Sequence, residues 1–263
     1  MRSHSYWRTQ TPTEPLFPDI AWSKPERRAQ AGRLGIIGGN KLGFAGVAEG
    51  YTQSQAAGVG EIRVLLPDAL KSTIPKTITD TLFAPTNISG SLSGDALSEM
   101  KALGAWAESI LLIGDAGRSS ETAIAYETFI REYEGQLVVT RDAVDLLKNS
   151  ASTLLDRPNT LLVMSFAQLQ KLFQAVYYPK VLTFSMHLLH FVEALHKFTV
   201  TYPVTIAVLH RETLIVASNG EVTTTAWENP MAIWRGTTAT KAAAFWLWNP
   251  KKPLEAVTAS LID

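Results

Sequence analysis

The chain has 263 residues, 46% of them hydrophobic, which suits one sizeable core in a single domain. Lysine plus arginine equals aspartate plus glutamate at 24 each, so no overall field draws the chain to nucleic acid or an anionic membrane, and any anionic ligand needs a local device. The absence of cysteine excludes disulfides, thiolate metal sites and cysteine nucleophiles.

Residues 1–30 are polar and dotted with proline, and they carry Trp7, Phe17 and Trp22 at irregular spacing. They read as an extended arm whose aromatic rings pack on the body or on a neighbouring subunit. Residues 31–263 read as one domain. A strand at Arg33-Leu34-Gly35-Ile36-Ile37 ends in Gly38-Gly39-Asn40, a small-residue helix over 44–57 follows, and 61–67 supplies the next strand. The alternation continues with helix 97–107, strand 109–113, helix 120–132, strand 136–140, strand 161–164 and helix 166–174. A longer helix over 184–198 leads to strands at 204–209 and 212–217. Asn219-Gly220 then makes a hairpin turn into Val222-Thr223-Thr224-Thr225. A turn rich in glycine and threonine at 235–240 opens a last helix over 239–248. Strands separated by helices imply an α/β architecture with a mostly parallel sheet covered on both faces and a late antiparallel hairpin. No secretory leader pattern opens the sequence, and no apolar run reaches the roughly 20 residues of a membrane span, so a cytoplasmic location is expected.

Ligands of open α/β sheets gather outside the carboxyl ends of the strands. Four loops there carry candidate chemistry: Gly38-Gly39-Asn40, Gly114-Asp115-Ala116-Gly117, Arg141-Asp142 and Arg235-Gly236-Thr237-Thr238. In the last, Gly236 permits close approach, and the N–H groups of a helix start attract phosphate; the competing reading is an ordinary helix start capped by Thr237 or Thr238. Asp142 has the best location for an acid, a base or a ligand, against a role as helix cap, and Asp115 and Asp145 also lie near strand ends. His187 and His190, three apart on a predicted helix, lack a third ligand, so no metal site is assigned. His196 suits a helix end. Trp227, Trp234, Trp246 and Trp248 crowd the C-terminal part, where packing competes with ring stacking on a ligand.

Three stretches carry a family resemblance. Gly35-Ile36-Ile37-Gly38-Gly39-Asn40, then Phe44-Ala45-Gly46, then Ala57-Gly58-Val59-Gly60-Glu61-Ile62-Arg63-Val64-Leu65-Leu66-Pro67 form the most specific one. Glu228-Asn229-Pro230-Met231-Ala232 and Gly236-Thr237-Thr238-Ala239 supply the others. Together they resemble the ADP/ATP-dependent NAD(P)H-hydrate dehydratases of the ribokinase-like superfamily, over residues 30–263. The resemblance implies a ribokinase-like three-layer α/β/α sandwich and a lyase that repairs hydrated NAD(P)H at the expense of ADP or ATP with Mg2+. It also implies assembly as a homo-oligomer.

By the same resemblance, substrate contacts fall to Gly39, Asn40, Phe44, Gly46 and Asn229. Nucleotide and phosphate contacts fall to Gly114, Arg235, Gly236, Thr237, Thr238 and His210. The family's catalytic aspartate falls on Ala239, and an alanine cannot move a proton. Asp142 is the acid expected to substitute. Other family motifs are altered as well: Gly114-Asp115-Ala116-Gly117-Arg118, Thr140-Arg141-Asp142-Ala143-Val144 and Met164-Ser165-Phe166-Ala167-Gln168 stand where it has Gly-Pro-Gly-Leu-Gly, Asp-Ala-Asp-Ala-Leu and Thr-Pro-His-Pro-Gly-Glu. The family continues into a further helix after the one that follows the phosphate turn, whereas this chain is expected to stop there. The alternative to a diverged enzyme is a non-catalytic nucleotide-binding or scaffold protein that keeps the fold.

Overall fold

A computed structural model describes residues 5–262. Ten strands form one sheet: β1 (Trp7–Gln10), β2 (Arg33–Gly38), β3 (Glu61–Pro67), β4 (Thr81–Ala84), β5 (Ser109–Gly114), β6 (Gln136–Thr140), β7 (Thr160–Ser165), β8 (Val204–His210), β9 (Thr213–Ser218) and β10 (Glu221–Ala226). Their order across the sheet is β1-β10-β9-β8-β7-β6-β5-β2-β3-β4. Pairing is parallel from β4 through to β8, β9 runs antiparallel to both β8 and β10, and β1 pairs parallel with β10. The late hairpin turns at Asn219 and Gly220 between β9 and β10, as their residues require.

Apolar runs explain the middle of the sheet. Every residue of β5 (Ser-Ile-Leu-Leu-Ile-Gly) and β6 (Gln-Leu-Val-Val-Thr) is buried, as expected for strands covered on both faces. One face is covered by α3 (Leu97–Trp106), α4 (Ser120–Glu132), α5 (Asp142–Leu146), α6 (Ala151–Leu155), α7 (Phe166–Ala175) and α8 (Leu188–Thr201). The other is covered by α2 (Ala45–Ala57), α9 (Met231–Arg235), α10 (Thr237–Trp248) and α11 (Pro253–Ala259). A short helix, α1 (Pro18–Trp22), leans on α11. Sheet and helices thus form three layers. α10 buries Ala239, Ala242, Ala243 and Ala244, and these small side chains let it pack closely on α2.

Three expectations are corrected. The first segment is not an arm along its whole length, because β1 joins the sheet edge beside β10, where the Trp7 indole N–H donates to Thr224 at 3.0 Å. The helix expected over 184–198 begins only at Leu188, capped by His187, whose ring accepts the Leu189 N–H at 3.3 Å. His187 and His190 therefore do not share a helix face as a ligand pair. The chain also does not stop after α10: Pro253 starts α11, which packs on α10 and β9.

Candidate functional site

The strand order reverses between β2 and β5, since the chain builds outward to β4 on one side and to β8 on the other. A crevice opens at such a point above the carboxyl ends. Here the pairing of β2 with β5 shifts register after Ile37, and the Gly39 N–H donates to the Gly114 carbonyl at 2.9 Å, so the two glycine loops are joined directly. Asn40 is buried, and its side chain is occupied. Its amide donates to Ser89 O (3.0 Å) and Ser91 Oγ (2.7 Å), and its carbonyl accepts the Leu42 N–H (3.0 Å). Its observed work is bracing loops.

Arg141 lies where these loops meet. It ends β6 with φ 56° and ψ −141°, a conformation that costs a non-glycine residue about 1–3 kcal/mol. Its guanidinium pairs with Asp115 and donates to Trp234 O (2.9 Å) and Arg235 O (3.2 Å). Asp115 in turn accepts the Gly46 N–H at the start of α2. The packing is tight: a Cβ on Gly46 would meet Arg141 Cζ at 2.9 Å, and one on Gly236 would lie 3.5 Å from Arg141 Cδ. One ion pair therefore ties together β5, β6, α2 and the turn before α10.

Asp142 faces the neighbouring loop. Its two oxygens accept the N–H groups of Asp115 (2.7 Å) and Ala116 (3.0 Å), and burial raises its carboxyl above the usual range while those two hydrogen bonds oppose the rise. It makes no side-chain cap to α5, because Arg141 stands at that helix's cap position. Burial also pushes Asp145 upward, but hydrogen bonds from Lys171 and Gln168, both 2.7 Å, bring it below the usual value.

The turn before α10 has the glycine expected of it. Gly236 adopts φ 90°, which favours glycine, and no side chain caps the helix start. Thr237 is directed elsewhere, its hydroxyl donating to Glu49 Oε1 at 2.9 Å. Thr238 is buried, and its hydroxyl has no partner; Ala239 is 0% exposed inside the α2–α10 core. Arg235 and Asn229 are exposed, the Asn229 backbone carbonyl accepting from Trp227 Nε1 at 2.7 Å, and Phe44 is half-buried at the start of α2.

Glu49 escaped sequence reading. The available signal was its place on α2: Gly46, Glu49 and Gly50 fall at i, i+3 and i+4, so this carboxylate shares the helix face that Gly50 turns toward Thr240 of α10.

No protein-family profile matches this sequence, and no curated protein does. Solved structures do. A ribokinase-like superfamily protein from Enterococcus faecalis superposes with a TM-score of 0.72 at 14% identity, over 99% of this chain and 87% of that one. The fold is ribokinase-like. The ADP/ATP-dependent NAD(P)H-hydrate dehydratase of Bacillus subtilis follows at TM-score 0.61 and 10% identity, covering 92% of this chain and 83% of its own. Pyridoxal kinase from Staphylococcus aureus reaches TM-score 0.55 at 13% identity, covering 87% and 84%.

Within this ribokinase-like frame Gly39, Gly46, Gly114, Gly236 and Thr237 converge on the crevice through the contacts above, but His210 does not. Along β8 the side chains alternate, so Ala207 joins the α10 face while Val208 joins the other; His210 follows Val208. It is buried among Phe166, Phe184 and Phe191 at ring separations of 5.0 to 5.6 Å, and its Nε2 lies 3.3 Å from Met186 O. Burial lowers its pKa. The His210 ring therefore packs against α7 and α8 and does not join the contacts around the α10 turn. At the α10 start Glu49 accepts the Thr237 hydroxyl, and both Asp142 oxygens accept backbone N–H groups of the neighbouring loop.

Proposed function

We propose that this chain is a non-catalytic scaffold or binding protein of ribokinase-like fold, which keeps the crevice walls of a nucleotide-dependent dehydratase without its chemistry. One observation carries the reading: the chain's own Arg141–Asp115 pair lies between Gly46 and Gly236, so close that a Cβ on Gly46 would meet Arg141 Cζ at 2.9 Å. Two others support it. The position that the resemblance gives to the proton acceptor is the buried Ala239, and Asp142, the expected substitute, spends both oxygens on backbone N–H groups. Assembly as a homo-oligomer belongs to the same proposal, because Leu42 and Ile88 on loops and Trp234 on α9 expose large apolar side chains; sedimentation velocity tests it.

A second reading has one specific support. Glu49 brings a carboxylate to the α10 start, so a diverged dehydratase could draw its base from α2. Incubating the protein with hydrated NADH and ADP or ATP, and following recovery of NADH absorbance, separates the two. The scaffold reading predicts no recovery above the protein-free rate. Recovery that Glu49→Gln abolishes would establish the enzyme instead.

A further inference from the structure

Outside the crevice, on the opposite face of Asp142, a cavity of about 530 Å3 lies between the start of α4, the α5 segment and α7. It continues into a second of about 400 Å3 that shares Lys148, Asn149 and Lys171, so the two form one groove. Three cations line it: Arg118, Lys148 and Lys171. Two acids also do, but both are engaged. Asp142 holds backbone N–H groups, and Asp145 is bonded to Lys171 and Gln168. Arg118 and Lys148 form no direct ion pair among the described residues, although Lys148 acts on Asp145 from a distance, and the three cations of the lining outnumber its two carboxylates.

The remaining walls identify the ligand's other end. Asn149, Ser152 and Gln174 present amides and a hydroxyl, and no aromatic side chain lines either cavity. A nucleoside base would find no ring to stack on, whereas hydroxyl groups would find donors and acceptors. The combined shape is long enough for a small molecule with a charged head and a polar body. We infer that this groove binds a phosphorylated sugar or polyol, with its phosphate between Arg118 and Lys148 and its hydroxyls toward Asn149, Ser152 and Gln174. The inference stands apart from the reading of the crevice, since no residue of the Arg141–Asp115 pair takes part.

Calorimetric titration with glucose 6-phosphate, glucose and inorganic phosphate tests it. Wild type should bind the sugar phosphate saturably, inorganic phosphate more weakly, and glucose not at all. Arg118→Glu and Lys148→Glu, both at exposed positions, should each weaken the sugar phosphate about tenfold or more, because each replaces a charge-assisted contact by repulsion. Lys76→Glu, exposed elsewhere, should leave affinity unchanged and so controls for net charge. No saturable binding to wild type, affinity indifferent to both groove variants, inorganic phosphate binding as tightly as the sugar phosphate, or equal weakening by Lys76→Glu would each overturn the assignment.

Discussion

Removing the Arg141 side chain leaves Asp115 half-buried without its cation and frees the two carbonyls that precede α10. Leaving a partly buried charge without its partner costs about 1–3 kcal/mol, so Arg141→Ala should lower the urea midpoint at unchanged slope. The backbone adds a finer expectation. Because φ is 56° there, Arg141→Gly should be roughly 1 kcal/mol more stable than Arg141→Ala, reversing the usual order of the two residues. His210 gives a pH signature. Burial holds its folded pKa below the ordinary value of 6.5, so the unfolded chain binds the extra proton first and stability is lost as pH falls below that value. His210→Leu should flatten the acid side of a stability-against-pH curve, measured by denaturant unfolding at several pH values. These roles were hidden in the sequence for a definite reason: a guanidinium's partners lie on other strands and helices, and spacing along β6 says nothing of α9 or α2.

α7 shows how a helix start serves the site. Ser165 and Gln168 form a reciprocal capping box, and the same Gln168 amide donates to Arg141 O and Asp145, both at 2.7 Å. Ser165→Ala should cost about 1 kcal/mol through the cap alone, read as a lower thermal midpoint. Gln168→Ala should cost more, since it also releases the strained Arg141 peptide. Elements with strong apolar periodicity were legible in advance: β3, α4 and β6 have the boundaries their residues predict. β1, β4 and α11 were not. β1 is Trp-Arg-Thr-Gln, joined to β10 by a parallel ladder and by bonds to threonine hydroxyls, with Trp7 as its one large apolar side chain against the core. β4 has only four residues, too short for a period to show.

At the scale of the whole molecule, four loops meet around one crevice; two of them were identifiable from glycines after apolar strands and a third from the glycine that opens a helix. What the crevice contains was not identifiable, because it depends on side chains arriving from elements far apart in sequence: Asp115, Arg141 and Glu49. Ala239 illustrates the limit. Its identity excludes proton transfer at that position, but only the fold reveals a carboxylate on a different helix beside the same turn. The central claim is that the protein's own charged pair occupies the crevice. Titration of ADP and ATP, each with Mg2+, into Lys148→Glu protein tests it most directly, because that background removes a cation of the separate basic groove. The account predicts no saturable binding of either nucleotide; tight, saturable binding that weakens when Thr237 or Gly236 is substituted would contradict it.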